Sequence, residues 1–261
     1  MIVAVLSSPE FWLFCAVGFL AQLIDGALGM AYGVICIAVL SASGVAIIEA
    51  SAVVHAAEVF TTGAAGASHL SHRNIDWRLF ARLAPAGVVG GVTGAFLLVA
   101  APAAIIKPLV AAYLVGIGVF LLLRAVRAKR QGSLIHSNWA LPLGGIGGLL
   151  DSWGGGWGPV VSSTLLGGGH PPRTAIGTVS LTEFFVTSAI SAAFIIAILR
   201  GVFPLDFRVY ATEIAGLIAG GLVAAPLAGF VARLAPARYL TIAVGILVLS
   251  LAVWQLYQLY A

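Results

Sequence analysis

The chain has 261 residues, 61% of them hydrophobic and only 8% charged. A soluble domain carries about 25% charged residues, so this composition cannot cover a water-facing surface and excludes a soluble globular protein. The formal net charge of +4 comes from Lys and Arg in the connecting loops, where they read as orientation signals and not as a nucleic-acid footprint.

The apolar blocks run to roughly 20 residues or more, the length that crosses a bilayer. They predict an all-α polytopic membrane protein. The opening "MIVAVLSSPEFWLF" has no basic n-region, so no cleaved signal peptide is expected. A split element follows at 10–42, two short apolar pieces (10–24 and 28–42) parted at Asp25–Gly29, within the glycine-rich "LIDGALGMAYG". Spans are expected at 46–70, 79–100 and 103–127. The basic stretch "RAVRAKR", Arg124–Arg130, closes a first repeat over 1–130.

The second half, 131–261, restates the plan. A split element at 138–167 (pieces 138–150 and 155–167) contains "LLDSWGGGWGP", and spans are expected at 174–199, 208–233 and 237–260. The repetition is visible in residues as well as hydropathy. Asp25 matches Asp151, "AEVFTTG" from Ala57 matches "TEFFVTS" from Thr182, and "IDWRLFA" from Ile75 matches "LDFRVYA" from Leu205. Three matches in one order read as two homologous repeats.

Each split element decides the relative orientation of the repeats. As a re-entrant hairpin it makes them inverted; as one broken span it makes them parallel. The positive-inside rule gives ten basic residues against three for the inverted arrangement and nine against four for the parallel one, which barely separates them. Length separates them better: a continuous helix of about 33 residues would reach roughly 50 Å, against a hydrocarbon core of about 30 Å. The reading is therefore inverted repeats, with both termini outside.

Ionisable residues inside a membrane need a reason, and those inside the spans are Asp25, His55, Glu58, Asp151, Glu183 and Glu213. Asp25 precedes Gly26 and Gly29; Asp151 precedes Gly154, Gly155 and Gly156. Glycine permits a sharp break, and aspartate is a favoured N-cap for a helix that restarts beyond it. A broken helix frees N–H groups that must face protein or a wet cavity, and paired breaks mark the central site of a transporter. These residues are expected to form a substrate site, with structural capping or direct ion or proton handling by the aspartates left as alternatives.

His55, Glu58, Thr62 and Gly66 share one helical face, as do Ser180, Glu183, Thr187 and Ser191. Thr62 and Thr187 are assigned to the substrate path, and His55, Glu58 and Glu183 to coupling or proton handling; helix-to-helix hydrogen bonding remains the alternative. Gly87, Gly90, Gly91 and Gly94, and Gly216, Gly220 and Gly221, are expected to let helices approach closely. Cys15 and Cys36 lie inside apolar segments without metal-ligand spacing, and neither a metal nor a cofactor is expected.

At the doubled aspartate–glycine segments the sequence resembles the TauE/SafE family of sulfite exporter-type permeases, over nearly the whole chain. The resemblance implies export of sulfite or related sulfur-containing anions and organosulfonates, often across a bacterial inner membrane. An anion carrier with no mid-span Arg or Lys must draw positive potential from helix N-termini and backbone N–H groups. Two other functions stay open: a cation or proton carrier using the membrane carboxylates, and an intramembrane aspartyl protease, although Asp151 follows "GGLL"; a metal-dependent membrane hydrolase would need more ligands than His55 and Glu58, and no HExxH occurs. The expected partners are a small anionic substrate, the lipid bilayer and, as a possibility, a second copy forming a homodimer; no nucleic acid is expected.

Overall fold

The computed structural model describes residues 6–126, 139–234 and 237–260. All regular elements among them are helical: α1 (Pro9–Leu28), α2 (Tyr32–Ala42), α3 (Ile47–Ser71), α4 (Trp77–Ala100), α5 (Ala103–Val126), α6 (Ala140–Gly154), a π-turn (Gly158–Ser162) running into α7 (Ser163–Gly167), α8 (Pro172–Leu199), α9 (Ala211–Leu234) and α10 (Ala237–Tyr260). Arg124 lies in the last turn of α5, while Arg127, Lys129 and Arg130 of the basic stretch lie outside the described residues.

Local chemistry explains the ends. Ser8 accepts from the Phe11 amide at 3.2 Å with Pro9 in the first turn of α1, the arrangement that satisfies free helix donors. Asp76 caps α4 by accepting from Arg78 and Leu79. Its sequence counterpart Asp206 accepts from the Arg208 amide at 2.9 Å, but α9 starts later, at Ala211. Asp206–Tyr210 is therefore a turn rather than a helix start.

By length and composition, α1, α4, α5, α8 and α10 can cross a membrane. Apolar side chains cover the outside, and ionisable groups of the spans lie within the core, as a bilayer solvent requires. Val89, Leu97, Ile105, Val119, Leu123, Ile195 and Val223 are exposed, whereas His55, Glu58, Asp151 and Thr187 are buried.

Small residues set which helices touch. The α1/α9 and α4/α6 pairs are among the closest. A Cβ added at Gly216 would sit 2.7 Å from the Phe11 carbonyl oxygen, and one at Gly220 would sit 2.7 Å from the Phe19 amide. One at Gly144 would sit 2.7 Å from the Leu83 oxygen, and one at Gly94 would sit 2.8 Å from the Leu149 oxygen. In both pairs the numbering rises together, so the helices run parallel. Elsewhere it runs oppositely. Gly63 faces Phe184 and Gly66 faces Leu181 across α3/α8, and Gly118 faces Leu249 while Gly245 faces Leu122 across α5/α10. These two pairs are antiparallel.

Candidate functional site

Both split elements break by the same local geometry. Gly29 ends α1 at φ 67° and donates its N–H to the Asp25 carbonyl oxygen. Gly155 ends α6 at φ 69° and donates to the Asp151 carbonyl oxygen at 2.8 Å. A left-handed residue closing a helix is the role for which glycine has no steric cost. The carboxylates then reach over the break. Asp25 Oδ1 accepts from the Tyr32 amide at 3.4 Å, and Asp151 Oδ1 accepts from the Trp157 amide at 3.0 Å. Each aspartate thus sits in the last turn of the helix before the break and holds an N–H beyond it. The expected contact is made, but from a different place: Ala31, not Asp25, occupies the N-cap position of α2.

The two breaks cross. A Cβ at Gly33 would lie 2.8 Å from the Gly155 Cα and 3.3 Å from Glu58 Oε1, and one at Gly158 would lie 2.5 Å from the Met30 Cα. Gly155 faces the backbone of Gly33 and Val34. Gly29 faces Ile176 and Ser162 side chains, at 3.0 and 3.4 Å. Gly154 and Gly156 turn the other way, against the ring and hydroxyl of Tyr113 in α5. Gly26 is half-buried in the final turns of α1.

The first polar stripe comes to this crossing. Glu58 and His55 are buried on α3. His55 Nε2 lies 3.5 Å from Asp151 Oδ2, an ion-pair distance that joins α3 to the second break. Ser51 Oγ donates to the Ser152 carbonyl oxygen at 2.6 Å and ties the same two helices. Thr62 donates its hydroxyl to the Glu58 carbonyl oxygen at 2.6 Å, within its own helix. The Thr187 hydroxyl is buried and has no hydrogen-bond partner. Glu183 is buried on α8 and lies in electrostatic reach of Asp25, Glu58 and Asp151.

Three buried residues that each leave one polar atom unpaired share one spot. His55 Nε2, Glu58 Oε2 and Asp151 Oδ2 are buried without hydrogen bonds. The ligand atoms of these three residues lie within 4.8 Å of one another, close enough to hold a small cation. Among the described residues, no Lys or Arg pairs with these carboxylates. In a low-dielectric interior such a group demands positive charge.

Sequence reasoning placed His55 beside Glu58 but missed its partner Asp151, almost a hundred residues away and in the other half. Ser51, Ser152 and Tyr113 were also missed, because a mid-span Ser or Tyr carries no distinctive signal. Trp153 and Trp157 flank the second glycine cluster as the sequence suggested; their indole N–H groups reach the carbonyl oxygens of Gly94, at 3.0 Å, and Val179, at 3.4 Å.

The family model described as Sulfite exporter TauE/SafE matches residues 14–255. The chain is also similar to "Probable membrane transporter protein YtnM" of Bacillus subtilis (strain 168): 36% identical over 227 residues, covering 84% of this chain and 74% of that protein. No solved structure matches.

Proposed function

The chain belongs to the sulfite exporter TauE/SafE family of membrane transporters, and from that premise we propose that it exports a small anion, sulfite or a related organosulfonate, across a bacterial inner membrane. The transported anion passes through the crossing of the two split elements by alternating access. The observation that carries this reading is the crossing itself: two helix breaks in backbone contact, each with an N–H group held only by a nearby carboxylate. An oxyanion is the same kind of acceptor as those carboxylates, and backbone N–H groups bind it without Arg or Lys.

The helix directions support inverted repeats at 1–130 and 131–261. The repeat partners α3 and α8 run antiparallel, and so do α5 and α10. The first helix of each half lies along the fourth of the other, an exchange that a two-fold axis in the membrane plane produces. Val161 of the π-turn lies beside Gly147 of α6, so the second split element folds back on itself as a re-entrant hairpin. The substrate-path roles of Asp25, Gly29, Asp151, Gly155, Thr62 and Thr187 follow from this reading.

Purified protein in liposomes loaded with labelled sulfite tests it. Efflux should exceed that of empty liposomes and should be inhibited by short organosulfonates. Gly29→Ala should reduce flux, because its φ of 67° strains any Cβ, while its neighbours are side chains that can shift. Sulfite efflux no faster than the lipid background, from protein that is folded, would remove sulfite as the substrate.

A further inference from the structure

We propose that His55, Asp151 and Glu58 form a proton-binding site that couples proton movement to the motion of the second split element against α3; the inference rests on the transport reading above. The geometry singles out one atom. His55 Nδ1 lies 2.8 Å from the Ser51 carbonyl oxygen and 3.2 Å from Ser51 Oγ. The carbonyl only accepts, and the Ser51 hydroxyl already gives its hydrogen to the Ser152 carbonyl. Both neighbours of Nδ1 are therefore acceptors, so Nδ1 carries the ring hydrogen. Nε2 is left with a lone pair aimed at Asp151 Oδ2, 3.5 Å away, and neither atom has a hydrogen bond.

That arrangement has two states. Without a further proton, a lone pair faces a carboxylate and the contact is repulsive. A proton added at Nε2 turns the imidazole into an imidazolium, and with the Asp151 carboxylate it makes a pair of zero net charge. The Glu58 carboxylate, in the same cluster, is the adjoining acceptor through which that proton enters or leaves. The other oxygen of Asp151 holds the Trp157 amide at the head of the π-turn. Gain or loss of the proton thus acts directly on the element that meets Gly33 and Met30 at the crossing.

The titratable groups around the cluster are Asp25 of α1, Tyr32 and Cys36 of α2, Glu183 of α8 and Tyr113 of α5. Across from His55 on α8 lies the apolar ring of Phe194, 6.3 Å away. The repeat partner of His55 is Ser180, so only one half of the molecule carries the imidazole. A single proton site in a doubled architecture makes the two directions of the cycle unequal.

Two transport modes separate coupling from substrate binding. Counterflow of labelled sulfite against unlabelled sulfite needs no net proton movement. Accumulation driven by an imposed pH gradient does. His55→Gln and Glu58→Gln should keep counterflow but lose gradient-driven accumulation by about tenfold or more. Glu58→Gln serves where the His55 variant fails to fold by size-exclusion chromatography. Accumulation retained in these variants, or a wild type indifferent to the gradient, would overturn the proposal. So would accumulation that EDTA abolishes, which would assign the three atoms to a metal ion. If the wild type shows no sulfite counterflow, the substrate reading fails, and infrared titration of the solubilised protein decides the proton site on its own. A carboxylic-acid C=O band that titrates and disappears in Glu58→Gln supports it; no such band overturns it.

Discussion

Asp151 does two things with its two oxygens, and Asp25 shares the first of them. One oxygen of each accepts a backbone N–H across a helix break; the other atom of Asp151 faces His55. At Asp25 the capping role can be separated from charge, because asparagine keeps an acceptor oxygen and alanine does not. Asp25→Ala should cost about 0.5–2 kcal/mol, the usual range for losing a cap, while Asp25→Asn should cost much less. Thermal unfolding in detergent reads the difference, and equal losses in the two variants would show that the Tyr32 contact does not hold the break. At this scale the sequence was informative wherever a charge stood alone in apolar surroundings, as at Asp25, Glu58, Asp151 and Glu183. It was silent where function depends on which distant residue arrives: the meeting of His55 with Asp151, and of Ser51 with Ser152, is set by packing between helices from different halves.

The glycines of α4, α6 and α9 act through absent side chains. A Cβ at Gly148 would run into the Gly87 carbonyl and lie 2.8 Å from the Gly91 amide, because α4 and α6 touch backbone to backbone. Gly116 in α5 has open space around the same position. Gly148→Leu should therefore separate α4 from α6, an overpacking cost of at least about 1–3 kcal/mol, and should reduce the yield of monodisperse protein. Gly116→Leu should leave it unchanged, and a matching loss there would mean that glycine count rather than helix contact sets stability. The glycine faces of α4 and α9 were legible because their spacing marks one side of a helix; that of α6 was not read from the sequence. Which helices they join was not: each matched pair of spans receives the first helix of the opposite half. The π-turn at Gly158–Ser162 was also invisible, since its apolar residues differ little in pattern from an ordinary helical turn.

At the scale of the whole molecule, the sequence left the inverted and parallel arrangements almost equal on charge. A contact between loops favours the proposed inverted arrangement. Arg173, in the first turn of α8, donates to the His72 carbonyl oxygen at 3.2 Å and to the Asn74 side chain, both just after α3. The inverted arrangement puts these two loops on one face of the membrane; the parallel arrangement puts them on opposite faces. At the other end, Ser41, Lys107 and Gln258 line one cavity, and Tyr210 donates to Glu49, which gathers the starts of α3, α5 and α9 with the end of α10. In the proposed arrangement the first face carries Arg73, Arg78, Arg82, Arg124 and Arg173, the second Lys107, Arg200 and Arg208, and the positive-inside rule then predicts a cytoplasmic first face. A cysteine introduced by Arg200→Cys should then react with a membrane-impermeant maleimide added to intact cells, while Ser71→Cys should react only after the membrane is opened. A cytoplasm-sensitive reporter fused after Ala261 should read outside. Labelling of both positions from the same side, or a C-terminus in the cytoplasm, would rule out inverted repeats and with them the placement of the two breaks as mirror halves of one transport path.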